Sequence, residues 1–379
     1  MLLRSETRRQ AQLCDLFTLP LQNEGPSVCT ALTLIIDQGK KNQFGRIEYG
    51  CVVRHRNVRI CTVAHLAAYL FWRWEFAGEA VPRFQRRQQW YDLYLLLGAS
   101  QRKSLSYDTQ LQWTSNAFQA AGLSSLKKTH AGRAQGAKQA ELDGVEEAQI
   151  RRAGRWNNDA LSVAYLSRLP RAFVRSMAGF DSNKTGNYFI PRSNVQPPAA
   201  LVAAIWPWLD QWRAWFGMPI DTPSPASYDS PPLDLEPEDR TDIAAQGFLS
   251  VLTYLRTALL QDSVLLRKEY LEHPLWRHDI FVREDYRTFA LEVEIAVSVA
   301  KKPYEIRLRN TILDVALALG NMQQQISTAV EKLDTHTKQS TQQIVRRLDD
   351  LCQRPMQATT TATTVVRWVD AVTQSGSSS

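Results

Sequence analysis

Disulfide and zinc chemistry find little material in this chain. Its 379 residues include five cysteines, Cys14, Cys29, Cys51, Cys61 and Cys352. The number is odd, no C-x-x-C spacing occurs and no His-x-His pair accompanies them. Neither a disulfide framework nor a metal site is expected, and the thiols read as reduced and intracellular. Long hydrophobic runs are missing too, since no stretch of 18 uninterrupted apolar residues occurs. The opening MLLRSETRRQ is charged where a secretory signal carries its apolar segment. The expectation is a chain that is neither secreted nor associated with a membrane.

What is present fits a folded protein, with 44% hydrophobic and 22% charged residues. Its charge is uneven. Residues 1–200 hold 27 lysines and arginines against 15 aspartates and glutamates, a surplus of 12. The remainder holds 18 against 23, a deficit of 5. A basic half of this kind suits a phosphate-bearing partner, so DNA is the partner expected. Arginines crowd residues 151–175, and Arg151, Arg152, Arg155 and Arg168 are candidate DNA contacts; a solvated helix face is the plain alternative.

The expected fold is mainly α with a small β-hairpin or sheet. Residues 30–36 (TALTLII) and 46–53 (RIEYGCVV) are β-branched and apolar, and DQGKKNQFG between them has a turn composition. This predicts a hairpin with Lys40 and Lys41 at its tip. Residues 62–77 read as a buried helix with Thr62 as N-cap, and 84–126 as short helices and loops. From 130 to 169 the pattern is helix, turn, helix, turn, helix, with breaks at Gly144 and at Asn157-Asn158. The aromatic segment IWPWLDQWRAWFG (205–217) is expected to close the core.

Residues 219–242 are rich in acidic groups and contain six prolines before residue 240, a linker composition that places a domain boundary there. Residues 243–357 then read as helical. Leu308, Ile312, Val315, Leu319, Met322, Ile326, Val330 and Leu333 step by three and four, a coiled-coil spacing with one stutter. A homodimer through this helix and a long helix folded on its own domain both satisfy that pattern. The Thr/Ser-rich tail, 358–379, is expected to be disordered.

His130 and Arg133 lie one turn apart at a helix start, where both can face an anion. Trp156 and Tyr165 follow in order. H-x-x-R alone is a weak signal, and order with context carries the weight. GKKNQFGR (39–46), RHRN (54–57), CTVAHLAAYLF (61–71), KKTHAGR (127–133), AGRWNN (153–158) and MAGF (177–180) resemble the fungal branch of the tyrosine recombinases. That branch holds Crypton-type mobile-element recombinases and the DNA-binding subunit of the budding-yeast centromere-binding factor, which binds DNA without cutting it. The resemblance covers about residues 1–220.

The resemblance implies a tyrosine-recombinase catalytic-domain fold beginning inside the second half of a DNA clamp, with its amino-terminal module missing. It implies Tyr165 as nucleophile on a DNA phosphate, and His130 and Arg133 as ligands of the non-bridging oxygens. Lys40 would protonate the leaving oxygen, with Lys41 the alternate, and Trp156 would donate its indole N–H. Arg4, eleven residues before Asp15, takes the place of the first catalytic arginine, with Arg8 its competitor. No cofactor is implied, and the location is the nucleus. Two functions follow: a DNA-binding protein that does not complete recombination, or an active recombinase acting through a phosphotyrosine at Tyr165. A coiled-coil interaction protein is the reading from a different class.

Overall fold

The computed structural model describes residues 1–37, 47–156, 169–220 and 241–300, with parts of 322–346. Two compact units are present, Met1–Lys301 and Lys302–Ser379.

The first unit is built on a three-stranded antiparallel sheet, β1 (Leu16–Leu21), β2 (Cys29–Ile36) and β3 (Glu48–Val52), with β2 in the middle. Leu32 pairs with Thr18 on one side and with Val52 on the other. Successive side chains of a strand point to opposite faces, and here each face meets its own hydrophobic cluster. Leu16, Leu32, Leu34, Ile36 and Val52 enter one cluster, whereas Cys29, Ala31, Cys51 and Val53 enter the other. This two-sided burial explains why β2 reads as a continuous apolar run without polar alternation. The hairpin β2–β3 agrees with the expected one. Its tip, with Lys40 and Lys41, lies outside the described residues. The strand β1 escaped sequence reading because Pro20 interrupts it, and Pro is tolerated there because β1 is an edge strand.

The first cluster is formed by α2 (Thr62–Glu75) and a long helix at 243–269. Val63, Ala64, Ala67, Leu70, Phe71 and Trp74 make a buried stripe on α2 at helical spacing. Thr62 is the first helical residue rather than the cap; Cys61 holds the cap position and makes no side-chain cap bond. Among residues 84–126 the short α3 (Arg87–Trp90) is joined by a longer helix than expected, α4 (Tyr107–Ala120), capped by the Ser106 hydroxyl accepting from the Thr109 N–H at 3.0 Å. The aromatic segment closes the core as expected, with Ile205, Trp206 and Leu209 fully buried and Trp74 packed edge-on to Trp206.

The second cluster holds α5 (Lys128–Leu142), α6 (Glu147–Gly154) and α7 (Arg171–Met177). Gly144, at φ +71°, turns the chain between α5 and α6, and Val145 and Ile150 point inward. The first of these helices begins at Lys128, so His130 and Arg133 lie inside it. The expected third helix, with Tyr165 and Arg168, lies outside the described residues. Short helices α8 (Ala199–Ala204) and α9 (Trp208–Trp215) complete the sequence before residue 220.

Residues 219–242 do not separate two domains. Helix α10 (Ile243–Glu269) runs through the first cluster, burying Phe248, Leu249, Leu252, Leu255 and Leu259, and α11 (Glu284–Ala300) follows in the same unit. Composition misled because a Pro-rich acidic excursion looks like a linker whether or not the chain returns to the core it left. By length and composition α10 could cross a bilayer, its best window averaging 1.3 in mean hydropathy. Its polar residues are instead matched by protein groups. Asp262 accepts from Arg54 Nη2 and Arg192 Nε, each at 2.5 Å, and Arg256 makes two 2.9 Å bonds to Asp210. At its start Asp242 accepts from Ala244 N–H, Ala245 N–H, Trp90 Nε1 and Tyr91 Oη.

In the second unit the described residues between 322 and 346 are helical, with Met322, Ile326, Val330 and Leu333 exposed. The heptad positions from Leu308 to Leu319, and the tail 358–379, lie outside the described residues.

Residues 1–301 expressed alone are expected to melt in one cooperative transition followed by circular dichroism, whereas residues 1–240, which lack α10, are not. Burial pushes the Asp15 carboxyl up to about 6 from its ordinary 3.8, although it accepts the Gln12 N–H at 2.8 Å. A carboxyl whose folded pKa is raised contributes stability fully below about pH 4 and loses it as pH rises through 6. Asp15→Asn is expected to flatten the pH dependence of the melting temperature between 4 and 6.

Candidate functional site

The basic groups singled out near residues 130–156 sit where α5, α6 and the amino-terminal residues meet. Arg133, half-buried on α5, donates from Nη1 to the Leu2 carbonyl at 2.6 Å and from Nη2 to the Gly154 carbonyl. Its guanidinium lies 4.8 Å from the centre of the Trp156 ring, a cation–π arrangement. Arg155 donates from Nη2 to the same Leu2 carbonyl at 3.0 Å, and its Nε lies 3.4 Å from Glu48 on β3. Arg4 holds the N-cap position of α1 (Ser5–Gln10), close enough for its charge to act on both other arginines.

Three like charges therefore share one place. Burial, followed by the charges of Arg155 and Arg4, pushes Arg133 down to about 10. Arg155 is also lowered, first by burial; Glu48 works against the shift and Arg4 adds to it. A partly buried excess of positive charge is stabilised by an incoming anion. The arrangement suits a phosphate or carboxylate, attracted by the clustered guanidinium charges beside an indole face.

Local sequence explains the shape. A Cβ on Gly154 would lie 2.5 Å from the Trp156 ring, so the absence of a side chain lets the indole fold back over the helix end. A Cβ on Gly136 would lie 2.8 Å from Leu2 Cδ2, so that glycine admits the amino-terminal residues against α5. Helix α6 ends with the Trp156 N–H bonded to the Arg151 carbonyl at 2.9 Å and the Arg155 N–H to the Arg152 carbonyl at 3.0 Å. That double closure demands a left-handed residue, normally glycine, and Arg155 occupies it at φ 55°. A non-glycine residue there costs about 1 kcal/mol.

The structure brings together Arg4, Arg133, Arg155 and Trp156. His130 lies one turn before Arg133 on α5 with its side chain exposed. Arg8, the competitor of Arg4, does other work, donating to the Thr129 carbonyl at 2.9 Å and so tying α1 to the start of α5. The arginine run does not act as one surface. Arg151 faces solvent and lies 3.6 Å from Glu147, Arg152 is half-buried on the same helix, and Arg155 turns inward. Lys40, Lys41, Tyr165 and Arg168 lie outside the described residues. Among the described residues no group of three or more His, Cys, Asp or Glu is arranged for a metal. Sequence reading missed Glu48 and the Leu2 carbonyl, because neither a lone acid on a strand nor a backbone oxygen leaves a motif.

Residues 1–287 match the family described as centromere DNA-binding protein complex CBF3 subunit, domain 2. The chain belongs to that family. The match runs past the Pro-rich segment and through α10, in keeping with the extent of the first unit. Comparison with individual curated proteins gives no match. In this member of the CBF3 subunit family, the Gly154–Trp156 contact is open to test. Gly to Ala within a helix ordinarily stabilises, but Gly154→Ala is expected to destabilise by about 1–3 kcal/mol in urea denaturation, because the methyl and the indole overlap.

Proposed function

We propose that this chain is a nuclear, centromere-type DNA-binding protein that grips the DNA backbone through a recombinase-like phosphate pocket and does not complete recombination. On this reading Arg4, Arg133 and Trp156 line the pocket, and His130, exposed one turn before Arg133 on α5, is a further contact. The observation that carries this reading is the Arg133 guanidinium, half-buried among like charges and stacked on Trp156. Membership of the centromere DNA-binding family and the basic surplus of residues 1–200 support it from two other directions.

Binding without cutting is supported by what Arg133 already does. Its Nη1 and Nη2 are engaged by the Leu2 and Gly154 carbonyls, so the fork that a recombinase would aim at two non-bridging oxygens is committed to backbone. Such an arginine contributes field and a stacking surface to a nearby phosphate more than a bidentate grip. The proposed second partner is another copy of this chain, paired through the helix that exposes Met322, Ile326, Val330 and Leu333 at steps of four, four and three.

Fluorescence anisotropy with a random-sequence duplex over a potassium chloride series tests the DNA reading. Affinity is expected to fall steeply as salt rises, the mark of phosphate contacts. Arg133→Ala is expected to weaken binding by about tenfold irrespective of sequence. Affinity that ignores salt would rule the reading out. With nicked substrates that trap a phosphotyrosine, no covalent adduct is expected, and an adduct lost in Tyr165→Phe would establish the recombinase instead.

A further inference from the structure

We infer that Arg155 is a third phosphate-gripping residue of this pocket, and that its strained backbone exists to aim its guanidinium at the bound anion. The inference rests on the phosphate reading of the Arg4–Arg133–Trp156 pocket and sharpens the sequence expectation for Arg155, a candidate DNA contact with a solvated helix face as the alternative, by placing it inside that pocket.

Four observations converge on it. The Arg155 side chain is 91% buried, being 9% exposed, where a solvated helix-face arginine would be open. Its Nη1 is buried and has no hydrogen-bond partner among the described residues, although its Nη2 and Nε are engaged by Leu2 and Glu48. A buried guanidinium nitrogen left unsatisfied is costly, and a ligand oxygen relieves that cost. The backbone is left-handed at a position where glycine is the ordinary residue, so an arginine there has a use beyond closing the helix. Finally, Arg155 shares the Leu2 carbonyl with Arg133, which sets the two guanidinium groups side by side around one oxygen. With that carbonyl already taken, Nη1 is the Arg155 donor left for a phosphate oxygen.

Glu48 is the counterpart. Its carboxylate lies 3.4 Å from Arg155 Nε and opposes an incoming anion. It holds the guanidinium in place without neutralising the site, because Arg4 and Arg133 remain.

The test uses the full chain, the same random-sequence duplex and the same salt series. Arg155→Gly keeps the left-handed helix end and removes the guanidinium. It is expected to reduce the slope of log affinity against log salt by about 0.9, the value for one B-DNA phosphate, and to weaken binding about tenfold near physiological salt. Glu48→Gln is expected to strengthen binding several-fold, since it removes a carboxylate that opposes the ligand beside Arg155. An unchanged slope in Arg155→Gly, or unchanged or weaker binding in Glu48→Gln, would overturn the assignment. Should Arg155→Gly not fold, Arg155→Lys serves: it keeps the charge and the slope but loses the fork, so a slope reduced in this variant also counts against the assignment. If the unaltered chain itself binds without salt dependence, the pocket reading has failed, which is a different result from normal binding with an inert Arg155.

Discussion

A carboxylate removed from water must have its charge matched, and Asp262 meets that requirement with two arginines from distant parts of the chain. Arg54 follows β3 and Arg192 lies in the turn at Pro191–Ser193. Burial alone would raise the Asp262 pKa, but the charges and hydrogen bonds of the two guanidinium groups hold it below its ordinary 3.8. Arg192 also donates to the His55 and Arg56 carbonyls at 2.8 and 3.0 Å, and Arg54 reaches Gln261 at 2.6 Å. Removing Asp262 would leave two buried guanidinium charges without their carboxylate, a loss of about 3–5 kcal/mol. The sheet, the turn and α10 are therefore stapled at one point, and apolar packing fills in around it.

That staple places the sheet between two cores, and the candidate site lies on the second. Alternate residues of β2 and β3 divide between the α2–α10 side and the α5–α7 side. Glu48, at the start of β3, belongs to the same sheet and reaches across to Arg155. The amino-terminal residues close the arrangement, since the Leu2 side chain is buried in the second core while its carbonyl is shared by Arg133 and Arg155. Core packing and the arginine cluster thus meet in one residue. Holding three arginines together is unfavourable by itself, and the surrounding structure supplies what keeps them there: backbone carbonyls, an indole face and one acid.

Much of the framework was legible in sequence. The hairpin strands announced themselves by β-branched runs around a turn, α2 by its apolar stripe, and the α5–α6 break by Gly144. Arg133 and Trp156, singled out through order and spacing, lie against each other in space, and the family match over residues 1–287 supports the centromere-binding part of the reading. What failed did so for physical reasons. Strand β1 was hidden by Pro20, which only an edge strand accepts. The Pro-rich acidic segment looked like a boundary because composition reports local stiffness and polarity, not whether the next helix returns to the same core.

By itself the sequence determined the hairpin strands and the helices with a clear apolar stripe, where the positive charge lies, and which family the chain joins, because these follow from local patterns of side chains. Tertiary structure alone decided that α10 completes the first core and that Arg4 joins Arg133 while Arg8 ties down α5. It also decided that Arg155 turns inward from its helix. Each of these depends on which groups lie close in space and on the cost of burying a charge without a partner. Chain order does not encode that proximity in any single motif.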